Sequence, residues 1–149
     1  MRARAATLAL ALAACSGGAP GPAPLDPRND ACAHCRMAVS DARFAAQLVA
    51  PGEEPRFFDD VGCLREWLRA HPGRPRRARA FVADHRTKGW VPAAAAVYTH
   101  APALETPMAS HLVAHQDAAS RAADPDAAGG KALGAAEVFG AAGPPDGAP

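Results

Sequence analysis

The sequence predicts an α+β domain of two similar small units, each a strand hairpin with a helix, packed together as one. Three observations lead to this. Val61, Leu64, Trp67 and Leu68 recur at helical spacing directly after an Asp59-Asp60 pair. Short strand-compatible runs separated by strong turn signals precede that helix. A second series of strands, turns and a short helix begins again at Ala80, so the two halves repeat a rough plan of hairpin, strand and helix.

In chain order, Met37–Val39 and Arg43–Val49 are short strand-compatible runs around Ser40-Asp41, with Phe44, Ala46 and Leu48 in weak alternation. Pro51-Gly52-Glu53-Glu54-Pro55 signals a turn, and Arg56-Phe57-Phe58 a strand. Asp60 is a preferred N-cap, accepting from free amides of the next turn, so a helix is expected over Val61–Ala70 with Cys63 in its first turn. The positive helix end there can lower a thiol pKa, although a small buried helix residue is the commoner use of such a Cys. His71-Pro72-Gly73 ends the helix, and the Arg74–Arg79 run reads as a solvated loop. Phe81–Asp84 reads as a strand and His85–Gly89 as a turn, while Ala93–Tyr98 is ambiguous between helix and strand. Thr106-Pro107-Met108 belongs in a loop. His111–His115 reads as a strand with both imidazoles on one face, followed by a short helix over Asp117–Ala123. Phe58, Leu64, Trp67, Leu68 and Trp90 are the expected core.

The amino terminus carries two arginines, a short apolar segment and then Leu12-Ala13-Ala14-Cys15. That is a secretory signal, too short to span a bilayer. A cysteine directly after Leu-Ala-Ala resembles a bacterial lipobox, in which Cys15 would become the acylated N-terminus. The expected organisation is a signal peptide over 1–14, lipidated Cys15 with a flexible Pro/Gly-rich tether over 15–29, a domain over 30–140 and a disordered tail over 141–149. The net charge is +1, which gives no field for nucleic acid. Three thiols remain beyond Cys15, and an odd number suits a metal site or redox pair better than a disulfide framework.

The chemistry concentrates in Cys32-Ala33-His34-Cys35-Arg36-Met37. Thiolate and thioether sulfurs are soft donors that select soft cations such as Cu(I). Two cysteines spaced this way can hold one metal, and Met37 tilts the choice toward copper, because structural zinc sites use Cys and His. In an extended segment Cys35 and Met37 would share a face. Met108 offers a further thioether, and His111, three residues later, is the best nitrogen candidate; His34 lies inside the cluster as ligand or supporting donor.

Taken together, these residues resemble the NosL family of small lipid-anchored accessory proteins. The carried features are the lipobox at Cys15, Cys32-x-x-Cys35-x-Met37, and Phe58-Asp59-Asp60-Val61-Gly62-Cys63-Leu64. Phe81-Val82-Ala83-Asp84, Trp90-Val91 and Thr106-Pro107-Met108 follow in that order. The resemblance implies a Cu(I) chaperone with two similar α+β units. Its place would be the periplasmic face of a membrane in the bacterial cell envelope. Its partner would be an apo cuproenzyme, nitrous oxide reductase or its maturation complex. Copper would pass by ligand exchange, held by Cys35, Met37 and Met108 with Cys32 or His111 in support. The family often has Gly before the first Met and after the second, where this chain has Arg36 and Ala109. A left-handed backbone at either point would be strained.

Two other readings use the same residues. Cys32 and Cys35 could serve an exported thiol–disulfide protein, although a Pro/Gly tether leads in where that chemistry expects a strand. Cys32, Cys35, Cys63 and a His could instead close a structural zinc module. The sequence shows no Ser/His/Asp set, no paired carboxylates in an apolar setting and no phosphate loop, so catalysis is not expected.

Overall fold

The computed structural model describes residues 19–148; the expected signal peptide and Cys15 lie outside them. The chain is mixed α+β, with two small antiparallel sheets and three short helices. The first unit holds β1 (Ala46–Val49), β2 (Arg56–Phe58), α1 (Val61–Ala70), β3 (Arg79–Ala83) and β4 (Trp90–Pro92). The second holds β5 (Val97–His100), β6 (Leu112–His115), α2 (Ala118–Ala122), β7 (Lys131–Leu133) and α3 (Ala135–Phe139), with a 3-10 turn at Pro125–Ala127 before β7.

The sheet orders are β2-β1-β3-β4 and β6-β5-β7. In each unit the second strand pairs the first, a helix follows, and the third strand returns to the first strand's other edge. The repeat is therefore hairpin, helix, strand, and not the hairpin, strand, helix expected from the sequence. The difference arises because Met37–Val39 is not a strand: Ala38 makes one isolated bridge to Ala31. The ambiguous Ala93–Tyr98 run resolves into a turn leading into β5.

Helix α1 forms where its spacing placed it. Asp60, at φ −151° and ψ 145°, accepts from the Gly62 amide, and the His71 amide closes the far end on the Trp67 carbonyl. Its apolar stripe of Val61, Leu64, Trp67 and Leu68 is buried, and α1 packs on β1 and β2 and also on β6. It is thus the helix that spans the seam, while α2 packs on β5 and β6 of its own sheet. One apolar cluster runs through both units, from Leu48, Phe58 and Leu64 to Tyr98 and Leu112. Trp90, expected in the core, is half-buried at the start of edge strand β4.

Both ends of the domain are tied down more than composition suggests. Gln47, fully buried on β1, bonds the Ala23 amide and carbonyl at 2.7 and 3.1 Å, and Leu25 packs on the core. The flexible tether expected over 15–29 is therefore docked by residue 23. The expected disordered tail likewise pairs by backbone alone: the Ala80 amide donates to Pro145 and the Gly147 amide to Ala78, at 2.8 and 2.9 Å. Among the described residues no helix is long and apolar enough to cross a membrane.

A second seam is held by Asp84, fully buried at the end of β3. One oxygen accepts from Arg86 and Thr87; the other accepts from the Gln116 amide and Ser120 hydroxyl of the second unit. Burial opposes its ionisation, but the bonds from Gln116, Ser120 and Thr87 outweigh that and hold its pKa at about 2. The folded value lies below the unfolded one, so the contribution is complete above pH ~4 and lost as pH falls through about 2. Stepped-pH urea unfolding should show wild type losing about 2 kcal/mol across that window, relative to Asp84→Asn. The variant should start out less stable at pH 7.

Candidate metal centre

The sulfur-bearing segment is a tight hairpin turn. The Cys32 amide donates to the Met37 carbonyl at 2.7 Å, the Arg36 amide to the Cys32 carbonyl at 3.0 Å, and Ala31 bridges Ala38 below. The Ala33 amide then donates to the Phe57 carbonyl at 2.8 Å, which docks the turn beside β2. Asp59 follows β2 directly, and Cys63 sits in the first turn of α1. A turn, a strand end and a helix start therefore meet at one point.

There the thiols of Cys32, Cys35 and Cys63 and a carboxylate oxygen of Asp59 all lie within 4.8 Å of one another. Cys32, Cys63 and Asp59 are buried and Cys35 is half-buried; no disulfide joins them. The Cys35 thiol donates to both Asp59 oxygens, at 3.5 and 3.4 Å. A bond from the Cys63 thiol lowers Cys32 to about 6, against the opposing effect of burial. Burial pushes Cys35 up to about 11, with Cys32 and Asp59 adding to it. Cys63 is pushed far up, chiefly because Cys32 holds its proton. The set thus has one cysteine, Cys32, whose ionisation is favoured, and two that keep their protons and donate them to neighbouring groups. A soft cation replacing those protons would meet a compact, negatively charged S3O group, which can bind a metal ion.

Against the Cys63 side lies a cavity of about 170 Å³, bordered by His34, Arg65, Glu66, Met108 and Ser110. The Met108 loop reaches it from the second unit. Two bonds to Asp60 hold it there: the Met108 amide donates to Oδ2 at 3.2 Å and the Ser110 hydroxyl to Oδ1. Gly62 makes the approach possible, because a Cβ at that position would stand 2.5 Å from the Ser110 Cβ. Met37 and Met108 are the exposed large apolar side chains among the described residues, at 54% and 40%.

The structure thus gathers Cys32 and Cys35 with Asp59, which sequence reasoning did not assign, and with Cys63, which it assigned only in the zinc alternative. It sets Met108 and His34 at the adjoining cavity. Met37 and His111 stand differently. Arg36 has φ 70°, so the segment from Cys35 to Met37 is turned, not extended, and the shared-face argument does not apply. His111 has φ 55° and precedes β6. Its Nδ1 bonds the Leu104 carbonyl at 2.8 Å and its ring lies edge-on to His100, whereas His115 turns into the second unit's interior toward Asp124. The two imidazoles therefore do not share a strand face. The Asp-Asp-x-x-Cys pattern was the available signal for Asp59 and Cys63, since a cap places the preceding residue and the first helical turn together.

Cys32 and Cys35 occupy a hairpin turn and not a helix start, so no helix end activates them as a redox pair. Both methionines touch a left-handed residue, Arg36 at φ 70° and Ala109 at φ 52°, where side chains cost roughly 1–2 kcal/mol relative to the right-handed region. Arg36→Gly and Ala109→Gly should therefore each stabilise the domain by up to about 1 kcal/mol, with melting temperature higher by a few degrees. Unchanged or lower melting temperatures would contradict strain at these turns.

Comparison with known proteins gives one family. The NosL family model matches residues 22–142, a span holding the sulfur turn, Asp59, Asp60, Cys63 and the Met108 loop. No curated protein and no solved structure matches the chain. The match covers most of the sequence and every element that builds the candidate metal centre, and the chain belongs to the NosL family.

Proposed function

We propose that this protein is a Cu(I) carrier, anchored by lipid at Cys15 on the periplasmic side of a bacterial membrane. It would hand copper to an apo cuproenzyme, with nitrous oxide reductase or its maturation complex as the client. The observation that carries this reading is the convergence of three thiols and Asp59 within 4.8 Å behind a cavity edged by the exposed Met108 thioether.

The donor set explains both holding and release. Cys32, Cys35 and Cys63 supply soft anionic ligands whose protons are released to solvent as the metal binds, and Asp59 orients the Cys35 thiol. Met108 is neutral and a weaker donor, placed where a partner's sulfur can reach the same ion. Copper would pass through a shared intermediate in which an incoming thiolate or thioether replaces Met108 first and the cysteines afterwards. Thioethers form no disulfides, which suits an exposed position in an oxidising compartment. The burial of Cys32 and Cys63 favours one second reading, a closed structural zinc site with His34. In that case metal loss and unfolding would be a single event.

Anaerobic Cu(I) titration of the reduced chain against a competing chelator should give one ion per chain. Met108→Leu keeps apolar volume and removes the donor, so it should weaken Cu(I) binding by about tenfold (~1.4 kcal/mol) or more with melting temperature unchanged. Cys35→Ser should weaken it further. Wild-type affinity in Met108→Leu would reduce Met108 to packing. Joint loss of fold and metal on chelation would instead favour zinc.

Labelled fatty acid should enter the wild-type protein and not Cys15→Ser, which should leave the membrane fraction, because stable anchoring needs more than one acyl chain. An unlabelled wild-type protein would remove the anchor from the proposal.

A further inference from the structure

On the second unit, away from the sulfur turn, three buried groups of a different kind converge. His85 Nδ1 and His115 Nε2 lie 2.7 and 2.9 Å from the same oxygen of Asp124. The three are 2%, 0% and 5% exposed. They come from the β3–β4 turn, the end of β6 and the start of the 3-10 turn, so they join the first unit to the second. The other Asp124 oxygen is engaged by the Asp126 amide. The remaining ring nitrogens, His85 Nε2 and His115 Nδ1, are buried and have no hydrogen-bond partner.

A hydrogen-bonded node alone leaves this arrangement poorly satisfied. With both rings neutral and donating to Asp124, His85 Nε2 is a bare lone pair. It faces the Asp126 carboxylate at 4.0 Å, acceptor against acceptor. The opposite tautomer of His85 would aim an N–H at Asp126, but then Nδ1 and the Asp124 oxygen, both acceptors, face each other at 2.7 Å. A positive charge there resolves the conflict. It is either a second proton that lets His85 donate toward both carboxylates or a metal ion between Nδ1 and the Asp124 oxygen, and titration with zinc separates the two. Metal-bound imidazoles regularly donate their outer N–H to a carboxylate in this way, and Asp126, 43% exposed, stands where that carboxylate is needed. Phe44 packs on the His85 ring, and Arg43 lies over Phe44 and 4.0 Å from Asp126, so the ring is held in this orientation.

We propose that His85, His115 and Asp124 form a second metal site, for a borderline divalent cation such as Zn(II), which fastens the two units together. Two imidazoles and a carboxylate suit such an ion, whereas the thiol cluster suits a soft one. Zinc–ligand distances of about 2.0–2.1 Å place tetrahedral donors about 3.3 Å apart, so the present spacings need open by only a few tenths of an ångström. The inference stands apart from the copper reading and uses none of its residues.

The test is zinc chloride titrated into the reduced full-length chain carrying 15N-histidine. The nitrogen shifts report on these rings whatever the thiols bind. His85 Nδ1 and His115 Nε2 are expected to lose their protons and move to metal-bound positions, each ring staying neutral with its proton on the other nitrogen, His85 Nε2 and His115 Nδ1. Asp124→Asn should abolish that response, and the exposed Asp126→Asn, which leaves the core untouched, should weaken it about 10–100-fold. Two results would overturn the proposal: both rings keeping their Asp124-donating tautomers in excess zinc, or zinc-shifted imidazoles of wild-type affinity in Asp126→Asn.

Discussion

The Asp60 carboxylate is the interaction on which the rest of the structure depends. It is fully buried and accepts from three donors belonging to two parts of the chain. The Gly62 amide is its own helix cap; the Met108 amide and Ser110 hydroxyl arrive from the hairpin loop of the second unit. A buried carboxylate left short of donors is costly, whereas each charge-assisted bond that completes it is among the stronger kinds available. The same oxygens therefore start α1, set Cys63 in its first turn, and bring Met108 to the cavity beside Cys63. Helix formation and site assembly are one event here.

The internal repeat sharpens this point. Asp117 occupies the same place in the second unit, two residues past β6 and directly before α2, and its side chain accepts from the Ser120 amide. It is a plain helix cap on an exposed turn. Asp60 has the same local duty but is covered by the other unit's loop, and the cover depends on Gly62, since any Cβ there would collide with Ser110. Across the opposite part of the seam, Asp84 of the first unit takes the Gln116 amide and Ser120 hydroxyl of the second. Two copies of one plan have thus been joined by buried acids whose donors lie on the partner copy. Only one of those joints adjoins sulfur.

Much of the fold was legible because it rests on local rules. The boundaries of α1 follow from the Asp60 cap, the 3.6-residue stripe and the His71-Pro72-Gly73 stop; β2 follows from the Pro-Gly turn before it. What was not legible is backbone pairing at a distance. Pro145 contributes a carbonyl to β3 and Gly147 an amide to Ala78 just before it, and nothing in a Gly/Pro/Ala tail announces that. Gln47 reads as the polar member of an alternating strand, yet it points inward because Ala23 satisfies both ends of its amide. At the site, Cys32 and Cys35 stood out by spacing. Cys63 did not, because a lone helical cysteine is more often a small buried residue, and its function appears only once the turn at 32–37 is docked on Phe57. His111 failed as a strand residue for a purely local reason, a left-handed φ just before β6.

The placement of soft donors separates two demands that the proposed carrier role would make and that are normally in conflict. Tight holding favours thiolates, but thiolates exposed outside the cytoplasm oxidise. Here two of the three thiols, Cys32 and Cys63, are buried and hydrogen-bonded to each other, which shields them from solvent. Of the three thiols only Cys35 is partly exposed, and outside stand the Met37 and Met108 thioethers, which cannot be lost to disulfides. Presenting them requires sharp turns, and the chain makes those turns with Arg36 and Ala109 in conformations that favour glycine. Such strain persists only where surrounding contacts fix it. On the Met108 side those contacts are the bonds to Asp60, and on the Cys32 side the bonds to Phe57 and Met37. On the proposed carrier reading, a partner that pulls on either loop would be acting on a bent spring whose far end is a candidate metal ligand or its neighbour. That is the mechanical condition for opening a buried site from its surface without unfolding the domain.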